Sequence, residues 1–110
     1  MGVKRSIPAS QGFAEIFSNP KKKVSTKHFL LLSKENSLGV ARIGVAVRKG
    51  DIKLAVQRNK IKRKIKGSFE LNALNLPPLD YVVFVRRNIS QSEDLIKKEL
   101  TELWDKIREP

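Results

Sequence analysis

The chain has no cysteine. This excludes disulfides and thiol chemistry, and it fits a reducing compartment. With His28 as the single histidine, no zinc site can be assembled either. No apolar run approaches the roughly 20 residues of a membrane-spanning helix. The opening MGVKRSIPASQGF carries cations but lacks the apolar centre of a secretory signal. The cytoplasm is therefore the expected location. Neither a Gly-x-x-x-x-Gly-Lys-Ser/Thr phosphate loop nor a Gly-x-Ser-x-Gly nucleophile elbow is present. Acids are scarce, with 11 Asp and Glu against 23 Lys and Arg. Asp51, Glu70 and Asp80 stand apart, where a helix cap, a helix surface and a strand entry explain them. A two-metal carboxylate cluster would need more acids than this region holds. No catalytic residue, protein-held metal or organic cofactor is expected.

The net charge is +12, and its distribution says more than its size. Six of the 11 acids lie in the last 18 residues, so residues 1–92 carry 19 bases against five acids. Such a surface calls for a polyanionic partner. A membrane surface fits less well, since no basic amphipathic segment exposes an aromatic-rich face. At 110 residues and 40% apolar content, the chain suits one folded domain, 1–110, with residues 1–9 loosely ordered. It shows no repeats, low-complexity tracts or internal linkers.

The cations concentrate in the stretch 52–69, IKLAVQRNKIKRKIKGSF, which has seven bases and no acid. Ile61, Ile65 and Phe69 recur every fourth residue, with Leu54 on the same stripe, which predicts an amphipathic helix. Asn59, Lys60, Arg63, Lys64 and Lys66 fan across the opposite face, and Arg58 and Lys62 border the stripe. A surface helix left to itself mixes signs, because like charges at i,i+4 are mildly unfavourable. Here Arg58/Lys62, Lys60/Lys64 and Lys62/Lys66 are all like-charged pairs. The cations also crowd the positive end of the helix dipole. The cost is about a few tenths of a kcal/mol per pair, and an anionic partner reverses its sign. A merely solvated basic face is the alternative.

Around this helix the elements read in order. Ser10 caps a short N-terminal helix on which Phe13 and Phe17 lie one turn apart. Both rings either pack in the core or offer a stacking platform to unpaired bases. After Asn19-Pro20, residues 24–33 read as one long strand or two short ones, apolar on both faces near the end and therefore central. His28 reads as structural. Residues 41–47 form a strand with Ile43, Val45 and Val47 on one face and a nearly bare face of Arg42, Gly44 and Ala46 on the other. Arg48-Lys49-Gly50 is a basic loop, and Asp51 is the expected cap of the basic helix. That helix should fade between Asn72 and Asn75, before Pro77-Pro78. Residues 80–86 read as a buried strand. Ser92 caps a last helix whose apolar stripe is Ile96, Leu100, Leu103, Trp104 and Ile107. The fold class is α+β, a small α/β sandwich of order α-β-β-(β)-α-β-α, with the basic helix as a crossover between strands.

Arg58-Asn59-Lys60-Ile61-Lys62-Arg63, on a helix after the strand Arg42-Ile43-Gly44-Val45-Ala46-Val47, resembles the signature of the bacterial ribonuclease P protein subunit. The resemblance continues through Phe13-Ala14-Glu15-Ile16-Phe17, through Leu76-Pro77-Pro78-Leu79-Asp80-Tyr81-Val82-Val83, and to Leu103-Trp104, and so covers nearly the whole chain. It implies a left-handed crossover between parallel strands, against the general right-handed rule. It also implies an RNA catalyst that uses magnesium ions, held mainly by the RNA, to remove the 5′ leader of precursor tRNA. The implied partners are ribonuclease P RNA and precursor tRNA, with no membrane and no need for a protein oligomer. Positions implied to bind the catalytic RNA are Lys49, Arg58, Asn59, Lys60, Lys62, Arg63 and Lys66. Those implied to hold the leader, in a cleft between sheet and N-terminal helix, are Phe13, Phe17 and Arg48. The bare face of Arg42, Gly44 and Ala46 would form the opposite wall. The chain departs from the family pattern at Lys60, where an arginine is usual, at Lys66-Gly67, at Glu70 and at Leu32. A ribosomal or other structured-RNA-binding protein of similar fold is the alternative. A DNA-reading helix would use Arg58 and Asn59.

Overall fold

The computed structural model describes residues 20–36, 39–47, 52–85 and 93–108. The expected N-terminal helix with Phe13 and Phe17, the loop Arg48-Lys49-Gly50-Asp51 and the cap Ser92 lie outside the described residues. Four strands, β1 (Lys22–Ser25), β2 (Phe29–Glu35), β3 (Arg42–Val47) and β4 (Leu79–Val85), make one sheet of order β1-β2-β4-β3. The segment read as one or two strands is two, paired antiparallel with Val24 opposite Leu31. β2, the end of the segment expected to be central, is central, while β1 lies at the edge; β4, expected to be buried, is the other central strand, and the two pair antiparallel, with Leu31 opposite Val83. β3 runs parallel to β4, with Gly44 opposite Val82. Parallel neighbours need a long connection, and the basic helix α1 (Ala55–Asn72) supplies it. A short 3-10 turn, Ala73–Asn75, ends it where fading was expected, and α2 (Glu93–Arg108) closes the described chain. Gly67 does not interrupt α1, which runs unbroken to Asn72.

Side chains alternate across a strand, so the register divides the apolar residues between two faces. One face carries Phe29, Leu31, Ile43, Val45, Tyr81, Val83 and Val85, and both α1 and α2 pack on it. α1 contributes Ile61, Ile65 and Phe69 to this core, and α2 contributes Ile96, Leu100, Leu103, Trp104 and Ile107. Both stripes were legible from their spacing. The other face holds a smaller cluster of Leu30, Leu32 and Val82, with Phe84 packed against it.

Two expectations at the start of α1 need correction. Leu54 is not on the buried stripe. It is the helix N-cap, in extended conformation, and 61% exposed. The helical phase does not extend back to it, and Ile52, 1% exposed, takes the inward position instead. The N-cap expected at Asp51, which lies outside the described residues, falls at Leu54, which makes no side-chain cap bond.

Aromatic contacts fix α1 against the rest. The Phe69 ring lies 6.0 Å from that of Tyr81 and 5.9 Å, edge-on, from that of Trp104. The Trp104 indole Nε1 donates to Ser68 Oγ at 2.8 Å, so α2 holds α1 by a hydrogen bond as well as by packing. Tyr81 donates its hydroxyl to the carbonyl of Pro77 at 2.7 Å, and burial pushes that phenol up to about 12.

Candidate nucleic-acid interface

With Ile61, Ile65 and Phe69 turned inward, the helix period leaves the motif's polar residues outside. Asn59, Lys60, Arg63 and Lys66 are exposed, and Lys62 and Lys64 are half-buried along the flanks. No acid stands in the first turn of α1. The anion-shaped deficit inferred from the sequence thus persists in the folded protein: these cations share one side of a helix that supplies no first-turn carboxylate to offset them.

Arg58 is placed differently from its neighbours. It is half-buried, and its Nη1 donates to the carbonyls of Ile52, at 2.9 Å, and Lys53, at 2.8 Å. It was expected at the border of the apolar stripe, and it is there. Its use of backbone acceptors was not legible from the spacing.

The face of the sheet away from α1 and α2 carries the smaller core, with Leu30, Leu32 and Val82 all buried. In register across β2, β4 and β3 it shows Leu32, Val82 and Gly44, then Leu30, Phe84 and Ala46. The face read as nearly bare in β3 therefore borders an apolar strip in the sheet centre. Leu32 is buried in that strip. Arg42 closes one end of it. Its Nε donates to Asp80 Oδ1 at 2.8 Å and its Nη2 to Asp80 Oδ2 at 2.7 Å. Asn36 Nδ2 donates to Asp80 Oδ1 at 2.8 Å and to the Val40 carbonyl at 3.1 Å. Burial works against ionisation of Asp80, but the bonds from Arg42 and Asn36 outweigh it and hold the carboxyl below its ordinary value. Asp80 does more than stand at a strand entry. It locks Arg42, directly opposite in the parallel register, onto β4.

His28 is structural, as expected, and its partner is Glu99. Nδ1 of His28 lies 2.6 Å from Glu99 Oε2, while the His28 amide at 3.0 Å and the Thr26 hydroxyl at 2.8 Å donate to Oε1. This ties the β1–β2 turn to α2. Glu99 is buried, yet these donors overcome the burial and keep its carboxyl below the ordinary value. The sequence carried a weak signal for it: Glu99 stands three residues after Ile96 and four before Leu103, beside the apolar stripe. Among the described residues, no group of three or more His, Asp or Glu is arranged to hold a metal ion. No helix among them is long and apolar enough to cross a membrane.

Fold and surface together define a class: a small α+β protein whose crossover helix shows a cationic face suited to a polyanion. Comparison with known proteins narrows it. A family model described as Ribonuclease P matches residues 1–108. The ribonuclease P protein component of Pseudomonas aeruginosa is 39% identical over 105 residues, which are 94% of this chain and 77% of that protein. The one from Idiomarina loihiensis is 38% identical over 96 residues, 86% of this chain and 77% of that protein. Among solved structures, the RNase P protein of Staphylococcus aureus superposes with a TM-score of 0.86 at 23% identity, covering 97% of this chain and 100% of that one. The Thermotoga maritima RNase P protein, in complex with 1-(4-fluorophenyl)-2-thiourea, gives 0.79 at 26% identity, with 92% and 98% covered. The chain belongs to the ribonuclease P protein component family.

Proposed function

We propose that this protein binds the catalytic RNA of ribonuclease P and the 5′ leader of precursor tRNA, and so assists RNA-catalysed, magnesium-dependent removal of the leader. The observation that carries this reading is the cationic face of α1 in a chain of this family. Lys60, Lys62, Arg63 and Lys66 meet RNA phosphates, Asn59 adds a neutral donor, and Arg58 and Lys49 complete the proposed set. Phe13, Phe17 and Arg48 are the residues proposed to hold the leader. Magnesium belongs to the RNA. Two carboxylates of low exposure are committed elsewhere, Asp80 to Arg42 and Glu99 to Thr26 and His28. The protein's contribution is to place charge where RNA strands crowd together, which reduces the magnesium needed to screen them.

The test is cleavage of precursor tRNA by a bacterial ribonuclease P RNA at low magnesium, with and without the protein. The protein should restore cleavage at magnesium concentrations where the RNA alone is slow, and should cut nothing by itself. Efficient processing by the RNA-free protein would refute this division of labour. Tight RNA binding with no effect on cleavage would instead favour a general structured-RNA binder.

Arg63 gives a sharper test of the surface. It is exposed, so Arg63→Ala removes a charge and little packing. RNA affinity should drop, and the slope of log affinity against log salt should fall by about one contact. Stability should hold or rise by about a few tenths of a kcal/mol, because like-charge repulsion is relieved. A variant that unfolds, yet binds normally when folded, would make Arg63 a structural residue.

A further inference from the structure

The entrance of α1 lacks the usual means of fixing a helix start. Leu54 makes no side-chain cap bond, and no acid follows in the first turn. In many helices the chain's entry angle is set by an apolar contact between the residue before the cap and the fourth helical residue. Here those positions are Lys53 and Arg58. They are joined by a hydrogen bond from the Arg58 guanidinium to the Lys53 carbonyl, and the same nitrogen also holds the carbonyl of Ile52. Ile52 is sunk in the core at 1% exposure, so one end of this tie is immobile. The Lys53 side chain is exposed at the other end. The Arg58 amide donates to the Leu54 carbonyl at 3.0 Å, which closes the first turn over the same segment.

We infer that Arg58 is a positioning residue in the RNA interface, and that the phosphate contact it secures is made by Lys53. The inference rests on the RNA-binding reading above and deepens it. A guanidinium whose Nη1 serves two carbonyls is held against its own backbone. A lysine on an untethered segment would lose side-chain and backbone freedom on binding, which weakens the contact. With its carbonyl pinned, the backbone part of that cost is met during folding.

A double-mutant cycle tests the coupling. The variants are Lys53→Ala, Arg58→Met and the pair, with Arg63→Ala as a reference. Each is titrated with a bacterial ribonuclease P RNA across a series of salt concentrations. Each single change at 53 or 58 should lower the salt slope by about 0.9, one phosphate contact. The pair should also lower it by about 0.9, because both changes remove the same contact. Between about 50 and 200 mM salt, every one of these variants should lose about three- to fourfold less affinity than the parent does. A slope reduction near twice that value in the pair would show that Arg58 meets a phosphate of its own, and would overturn the proposal. So would an Arg58→Met variant that keeps the full effect of Lys53→Ala. Should Arg58→Met not fold, Arg58→Gln, which keeps part of the stem and a polar end, runs the same cycle. If Arg63→Ala also leaves affinity and slope unchanged, the RNA-binding reading itself has failed. If Arg63→Ala behaves as expected while positions 53 and 58 add independently, only the positioning role has failed.

Discussion

Phe69→Ala should destabilise the protein by about 3–5 kcal/mol, the range for truncating a fully buried phenylalanine. The ring is 0% exposed and meets Tyr81 of β4 and Trp104 of α2, so it joins three elements at one point. Removing it leaves a cavity bounded by two large aromatic side chains that have little freedom to move inward. The neighbouring residue, Ser68, would remain as the polar link from α1 to Trp104, and a single hydrogen bond contributes only about 1 kcal/mol. Against a total stability of about 5–15 kcal/mol for domains in general, the loss is large. Urea denaturation followed by tryptophan fluorescence measures it directly, because Trp104 is the only tryptophan and touches the altered site. RNA affinity of the folded fraction should fall as well, since the same ring holds the inner face of the helix whose outer face carries the cations. A loss below about 1 kcal/mol would mean that α1 is held chiefly elsewhere.

Asp80→Ala should cost about 2–4 kcal/mol at neutral pH. Breaking a buried pair by removing one partner is expensive because the remaining charge is uncompensated. Arg42 is the remaining charge, with its side chain 12% exposed. Asp80 keeps 18% exposure, which places the expectation toward the lower part of the usual range. Asn36 would also lose an acceptor for its amide. The same carboxylate makes stability depend on pH. Asp80 and Glu99 both bind protons less readily in the folded protein than their ordinary values of 3.8 and 4.5 imply. The unfolded chain therefore takes up protons first as pH falls. Their contribution is fully present above these ordinary values and is lost as pH drops through the lower folded ones. Denaturation midpoints between pH 7 and about pH 3 should fall in the parent protein, and more gently in Asp80→Ala, which has one such group fewer. A parent whose midpoint stays level down to pH 3 would contradict this account.

Much of the fold was legible because its signals are local. The spacing of Ile61, Ile65 and Phe69 marked the inner face of α1, and that of Ile96, Leu100, Leu103, Trp104 and Ile107 marked α2. Strands apolar on both faces announced burial, and β2 and β4 are the sheet's central strands. The start of α1 was misplaced for a related reason. Asp51 is a good capping residue and Leu54 lies in phase with the apolar stripe, so local preference favoured an earlier start. The extended backbone at Leu54 and the burial of Ile52 decided otherwise. Propensity is a weak term beside the burial of a core isoleucine.

By itself, then, the sequence determined which residues of α1 and α2 face inward, which strands are buried, where cations gather and how few acids oppose them. These depend on residue type and on near neighbours along the chain. Only the tertiary structure decided what each polar group is bonded to. Asn36 and Asp80 are 44 residues apart, and Thr26 and Glu99 are 73 apart. A carboxylate has the same composition and the same local spacing whether water or a guanidinium surrounds it. Arg58 shows the limit at shorter range. Its charge placed it in the basic motif, but its bonds to the carbonyls of Ile52 and Lys53 need an extended segment before the helix with Ile52 buried at its start, which residue type alone does not announce.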